Sequence, residues 1–230
     1  MNLNSVDIIF IYANQRSGHH AIINWLCNQI EYNVIHHNDL NFDSLVNGNY
    51  VYKGGIKKTK YENSKENKTI QVINFENTEV KNHEKLIKNK FFKDKKTVTL
   101  LVLRDFYNNM ASVIKSTPKN KLSNKLKTHK IVWKEISSLY LNQKFYTILY
   151  NDWILNEKYR EEISKNLGLK FTDKGFEKLS PFGGGSSFND HNNKNRLERY
   201  KQFLKNEDFI KVINDDEIKK LNKKIFSIQL

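Results

Sequence analysis

Residues Ile8-Ile9-Phe10-Ile11 form an apolar run without alternation. The turn Asn14-Gln15-Arg16-Ser17-Gly18 follows, and then Ala21, Ile22, Trp25, Leu26 and Ile30. A strand wetted on one face alternates polar and apolar side chains, so an unbroken run implies burial on both faces, as in an inner parallel strand. The spacings of three and four after Gly18 are those of a helix with one apolar stripe. Strand, glycine-bearing turn and helix in that order begin a βαβ unit, which argues against all-β and all-α architectures.

Similar apolar runs recur at Asn33 to Ile35, Thr69 to Phe75, Thr97 to Leu103 and Phe145 to Tyr150, each separated by enough chain for a crossover. Phe106 to Lys115, Leu122 to Leu141 and Glu157 to Leu167 have helical periodicity, and Gly168 is placed to end the last of them as a C′ glycine. Trp25 and Trp133 fall on apolar helical positions and read as core; Asp105 reads as a helix N-cap. The expectation is an α/β fold in a single domain spanning residues 1–230, a doubly wound parallel sheet of about five strands flanked by helices. A length of 230 residues suits one such domain, and 38% hydrophobic residues can form its core although 28% are charged. Within it, residues 38–68 read as a variable insertion, 180–195 as a long glycine-rich loop and 196–230 as a charged helical segment.

Lys and Arg number 39 against 25 Asp and Glu, a formal net charge of +14 that favours anionic partners. The lysine-rich runs Lys53 to Lys68 and Lys115 to Lys130 read as solvated faces rather than binding sites. The single cysteine, Cys27, allows no intramolecular disulfide and no cysteine-based zinc site, in keeping with a reducing compartment. No apolar run reaches the ~18–20 residues that cross a bilayer, and Met1 to Ile11 lacks a basic leader segment. A cytoplasmic protein without a membrane span is the expectation.

Two segments carry chemistry. Asn14 to His20 follows the first strand and opens a helix, where Gly18 permits close approach and the helix N-terminus favours an anion. It lacks the first glycine and the lysine of G-x-x-x-x-G-K-[ST], which disfavours an ordinary ATPase or GTPase. Arg16, Ser17, His19 and His20 are its side-chain donors. The second segment, Arg104-Asp105-Phe106-Tyr107-Asn108-Asn109-Met110-Ala111-Ser112, places an arginine at a strand's carboxyl end and a serine eight residues later on the next helix.

Together these two segments resemble the sulfotransferase family, which has a P-loop-like fold and uses 3′-phosphoadenosine 5′-phosphosulfate (PAPS) as donor. The resemblance implies that residues 15–21 (Gln15, Arg16, Ser17, Gly18, His19, His20 and Ala21) bind the 5′-phosphosulfate and that Arg104 and Ser112 grip the 3′-phosphate. Phe145 to Leu169 is similar to the family's strand-Tyr-Glu-Asp-helix-Leu-Gly stretch, which puts Tyr150 near the adenine. Gly183-Gly184-Gly185-Ser186-Ser187-Phe188 followed by Arg199-Tyr200 stands where the family closes a glycine-bearing loop over the nucleotide, so Gly184, Gly185, Ser186, Ser187 and Arg199 join the nucleotide contacts. Departures are Arg16 in place of lysine, His19 and His20 in place of a hydroxyl-bearing pair, Ala21 in place of tryptophan, and no R-K-G run.

PAPS carries negative charge at two separated points, which one anion cradle and one Arg/Ser clamp would match at the carboxyl ends of parallel strands. Arg16 is suited to charge that develops on the leaving phosphate. The acceptor hydroxyl needs a general base. Glu76, just after the strand ending at Phe75, stands where the family carries a His or Glu; His20, and a surface pair His36 and His37, are the alternatives. The seven histidines show no H-x-x-x-H spacing with a nearby carboxylate, so no metal is expected. The function implied is transfer of a sulfuryl group from PAPS to a hydroxyl or amine of a carbohydrate or small molecule, leaving 3′,5′-ADP, without nucleic acid as partner. A nucleotide or small-molecule kinase, a basic nucleic-acid-binding protein, and a family member that binds nucleotide without transfer are the competing readings.

Overall fold

The computed structural model describes residues 1–53, 58–178, 180–182 and 195–230. At its centre stands β1 (Ile8–Ala13), paired in parallel with β4 (Lys65–Glu76) on one side and β5 (Thr97–Leu103) on the other. Outside β4 lies β2 (Tyr32–His37), also parallel, then β3 (Lys58–Tyr61), antiparallel to β2; outside β5 lies β6 (Tyr146–Leu149). The sheet is therefore mixed and six-stranded, in the order β3-β2-β4-β1-β5-β6, rather than a purely parallel sheet of about five strands. The strand absent from the sequence reading is β3. Its sequence Lys-Thr-Lys-Tyr exposes both lysines, a charged edge that discourages pairing with another chain while hiding the strand among solvated lysines.

The absence of alternation in β1 has its physical counterpart in two separate cores. Phe10 and Tyr12 enter one with Phe75, Leu103 and Trp133; Ile9, Ile11 and Ala13 enter the other with Trp25, Ile70 and Trp153. The second core is covered by α1 (His19–Cys27), α6 (Tyr150–Leu155) and α7 (Glu157–Asn166). The first is covered by α2 (Phe42–Val46), α3 (His83–Ile87), α4 (Phe106–Ser116), α5 (Lys119–Leu141), α8 (Glu207–Ile213) and α9 (Asp216–Phe226). The fold is thus doubly wound. Trp25 and Trp133 are fully buried, Asp105 caps α4 by accepting from the Asn108 N–H at 2.9 Å, and Gly168 has φ +65° just past α7. No helix among the described residues is long and apolar enough to cross a membrane.

The chain passes from β1 to β2, returns to insert β4 between them, and then crosses to β5 on the far side of β1. The connections after β1 and β4 thus depart in different directions, and a crevice opens where they part. Register brings the ends together: Ala13 is opposite Glu76 on β4 and Val102 on β5, so Asn14, Glu76 and Arg104 meet at one edge.

Candidate active site

Residues 14–18 leave β1 in a tight turn, with Arg16 at φ +66° and Gly18 at φ +83°. A left-handed arginine is strained and must be held by its surroundings. The Gln15 N–H donates to Asn77 Oδ1 (3.0 Å), its carbonyl accepts from Asn109 Nδ2 (2.9 Å), and the Arg16 carbonyl accepts from the Arg104 guanidinium (3.2 Å). Asn14 ties the turn to α5 by donating to the His129 carbonyl at 2.8 Å. Gly18 is the N-cap residue of α1 and supplies no side-chain cap, so the first N–H groups of the helix face the turn. A Cβ on Gly18 would come within 2.2 Å of the Tyr150 ring. We expect Gly18→Ala to lower stability by about 2–4 kcal/mol, from left-handed strain plus collision with a buried ring. Urea melts check this through a lower midpoint at unchanged slope.

The Arg16 side chain reaches the far end of α4, where its Nε donates to Ser116 Oγ at 3.0 Å. Lys125 on α5 comes near: its pKa is lowered by burial and by the Arg16 charge, against a weaker opposing pull from Glu76. A lysine depressed by a neighbouring guanidinium marks a place where an anion is favoured. Lys125 was hidden in a lysine run that the sequence reads as solvated; its distinguishing mark is its place one turn before the buried His129.

Arg104 is 3% exposed, and the Tyr150 ring lies 4.8 Å from the centre of its guanidinium. Its terminal nitrogens donate to the carbonyls of Arg16 (3.2 Å) and Arg196 (2.7 Å), while Nε is buried without a hydrogen-bond partner among the described residues. Tyr150 opens α6 and is held between Gly18 and Arg104. Ser112 lies buried on α4, and its carbonyl accepts from Ser116 Oγ. Ala21 sits in the first turn of α1, where its N–H donates to the Gly18 carbonyl. Arg199 starts a short 3₁₀ turn and is buried. Gly184, Gly185, Ser186 and Ser187 lie outside the described residues.

Glu76 ends β4 buried, only 7% exposed. Its Oε1 lies 3.0 Å from His19 Nε2 and 3.3 Å from His20 Nε2. His19 Nδ1 meets Ser17 Oγ at 3.2 Å, and His20 Nε2 meets Asn38 Oδ1 at 2.8 Å. Burial pushes the Glu76 carboxyl up, but the hydrogen bond and charge of His19, then His20 and Lys53, outweigh it and leave the pKa at about 2. Burial, then His19, lower His20 to about 4 against the pull of Glu76. His20 is accordingly a neutral imidazole at pH 7. One ring nitrogen each of His19 and His20 and a carboxylate oxygen of Glu76 lie within 4.8 Å of one another. A search for histidines at regular spacing misses this group because β4 contributes the carboxylate from far along the chain.

The sequence reading of His36 and His37 as a surface pair is corrected for His36. It is fully buried, bonded through Nε2 to Asn74 Oδ1 at 2.7 Å and edge-on to Phe182, because it lies on an inner strand whose side chains alternate between faces. His37 points the other way and bonds Tyr52 Oη at 2.8 Å.

No protein-family profile matches the chain, and no curated protein does. Among solved structures the chain is similar to mouse sulfotransferase SULT7A1 complexed with PAP. The identity is 13% over 94% of this chain and 88% of that one, with a TM-score of 0.47.

Proposed function

We propose that the protein is a sulfotransferase that takes a sulfuryl group from PAPS and passes it to a hydroxyl-bearing acceptor. One observation carries the reading: an uncapped helix N-terminus, a buried arginine whose Nε has no hydrogen-bond partner among the described residues, and a histidine–carboxylate pair converge at the carboxyl ends of β1, β5 and β4. An anion cradle, a second anion clamp and a proton acceptor are the three parts that sulfuryl transfer from a nucleotide with two separated anionic groups requires. PAPS supplies the activated S–O bond, which breaks as the acceptor oxygen bonds to sulfur and 3′,5′-ADP leaves.

In this reading the N–H groups of residues 18–20 and Arg16 hold the phosphosulfate end. Lys125 adds to the positive field on that side, and Arg104 with Ser112 holds the 3′-phosphate. Tyr150 flanks the base, and Arg199 and residues 184–187 complete the nucleotide contacts. The position of Glu76 suits a general base, yet its Oε1 is already engaged by both imidazoles, and its pKa is held lower than that of His20. We assign the acceptor role to His20: with Nε2 donating to Asn38, its lone pair resides on Nδ1. Glu76 then orients the imidazoles and balances the charge that His20 gains. Arg16 acts on the charge that accumulates as the S–O bond lengthens.

The test is a thermal-shift comparison of 3′,5′-ADP with ATP, ADP and AMP. Selective stabilisation by 3′,5′-ADP is expected, by roughly 2.7 kcal/mol when the ligand stands at about 100 times its Kd. Equal or greater stabilisation by ATP would replace this reading with a kinase. Stabilisation by none of the four would remove the nucleotide site.

A further inference from the structure

We propose that His19, His20 and Glu76 form a binding site for one divalent ion of the zinc type. This inference does not rest on the sulfotransferase reading.

The geometry is close to what such an ion demands. With Zn–N and Zn–O bonds of about 2.0–2.2 Å in a tetrahedron, neighbouring ligand atoms lie roughly 3.3–3.5 Å apart. Glu76 Oε1 already stands 3.0 Å from His19 Nε2 and 3.3 Å from His20 Nε2, so two edges of the tetrahedron are present. The third edge, between the two imidazoles, is within 4.8 Å. Consecutive residues on a helix project about 100° apart. These two rings nevertheless converge to 4.1 Å between centroids, because they sit in the first turn of α1 against the carboxylate that ends β4.

The surroundings act as an outer shell. The Ser17 hydroxyl holds His19 Nδ1 and can accept its proton, so that a metal can take the Nε2 lone pair in place of the proton now bonded to Glu76. Asp39 Oδ1 accepts the Glu76 backbone N–H at 3.0 Å and fixes the strand end from which the carboxylate projects. Two imidazole nitrogens and one carboxylate oxygen suit zinc, cobalt or nickel and fit magnesium or calcium poorly. Three protein ligands leave a fourth position, and His20, at 19% exposed, marks the way in from solvent. The Nε2 of His20 cannot both donate to Asn38 and bind a metal, so loading the site breaks that bond. An ion held here also ties up the histidine–carboxylate pair, and Zn²⁺ is expected to oppose any proton transfer through it.

The probe is Co²⁺, titrated into chelator-treated full-length protein and followed by visible absorption. The expected result is one equivalent of four-coordinate cobalt, displaced by Zn²⁺, with the bands lost in His19→Ala and His20→Gln. Asn38→Leu removes the bond that competes for His20 and should tighten cobalt roughly two- to tenfold. Thermal melts establish that the variants are folded; if a histidine variant is not, the tightening in Asn38→Leu carries the proposal alone. A featureless titration of the wild type would overturn the site, as would histidine variants that titrate like the wild type, or an Asn38→Leu protein with unchanged affinity. Failure here is distinguishable from failure of the nucleotide reading, because 3′,5′-ADP stabilisation is measured on the metal-free protein.

Discussion

Arg104→Ala is expected to weaken 3′,5′-ADP binding by about 2–4 kcal/mol, the range for removing one partner of a buried charged contact. The guanidinium is already desolvated and supported by the Tyr150 ring, while its Nε has no hydrogen-bond partner among the described residues, so a phosphate would meet a donor whose burial is already in place. Two further bonds, to the carbonyls of Arg16 and Arg196, are lost with the same substitution. Part of the effect therefore falls on every nucleotide through a loosened turn. Adenosine 5′-phosphosulfate, which lacks the 3′-phosphate, separates the contributions: its affinity should fall several-fold less than that of 3′,5′-ADP. Calorimetric titration of both ligands measures the difference, and equal losses would mean that Arg104 only braces the turn.

His20→Gln should reduce transfer by about 10²–10⁴ while 3′,5′-ADP affinity is retained. The pH profile gives an independent check. His20 accepts a proton only when neutral, and its pKa is lowered to about 4, so the acidic limb of kcat/KM should fall as pH drops through that region instead of near 6.5. Glu76→Gln removes the carboxylate that raises the His20 pKa, so the limb should move to still lower pH with a smaller loss of rate. If Glu76→Gln were the inactive protein and His20→Gln retained full rate, the proton would go to the carboxylate. Sulfate transfer from PAPS to a panel of hydroxyl compounds supplies the assay.

What could be read from the chain follows from where information is local. The run Ile8 to Ile11 announces a strand buried on both sides because burial acts on each residue independently of its partners. The Arg104 to Asn109 stretch announces a strand end and a helix start because the Asp105 cap is bonded within three residues. What stayed hidden is pairwise and distant. The His19–Glu76 contact joins the start of α1 to the end of β4, and Lys125 gains meaning only beside Arg16. Strand β3 escaped for the opposite reason, since an edge strand needs no apolar face and its lysines look the same in a strand as in a loop. The short α2, α3 and α6 are likewise below the length at which periodicity declares itself.

The first turn of α4 has one more consequence, and it concerns the order of events during synthesis. Asn108 donates to the Leu197 carbonyl at 2.7 Å and accepts from the Tyr200 N–H at 3.2 Å; Arg104 donates to the Arg196 carbonyl; Asn222 accepts the Phe106 N–H at 2.8 Å. Residues 104–108 are thus clasped by partners made roughly a hundred residues later. A nascent chain can build β1, β4 and β5 and still leave Arg104 without one of its two carbonyl acceptors. Its guanidinium is locked only after residues 196–222 have cleared the ribosome. On the proposed function the anion clamp is unfinished until then, so competence to bind nucleotide is expected to appear late as the chain lengthens.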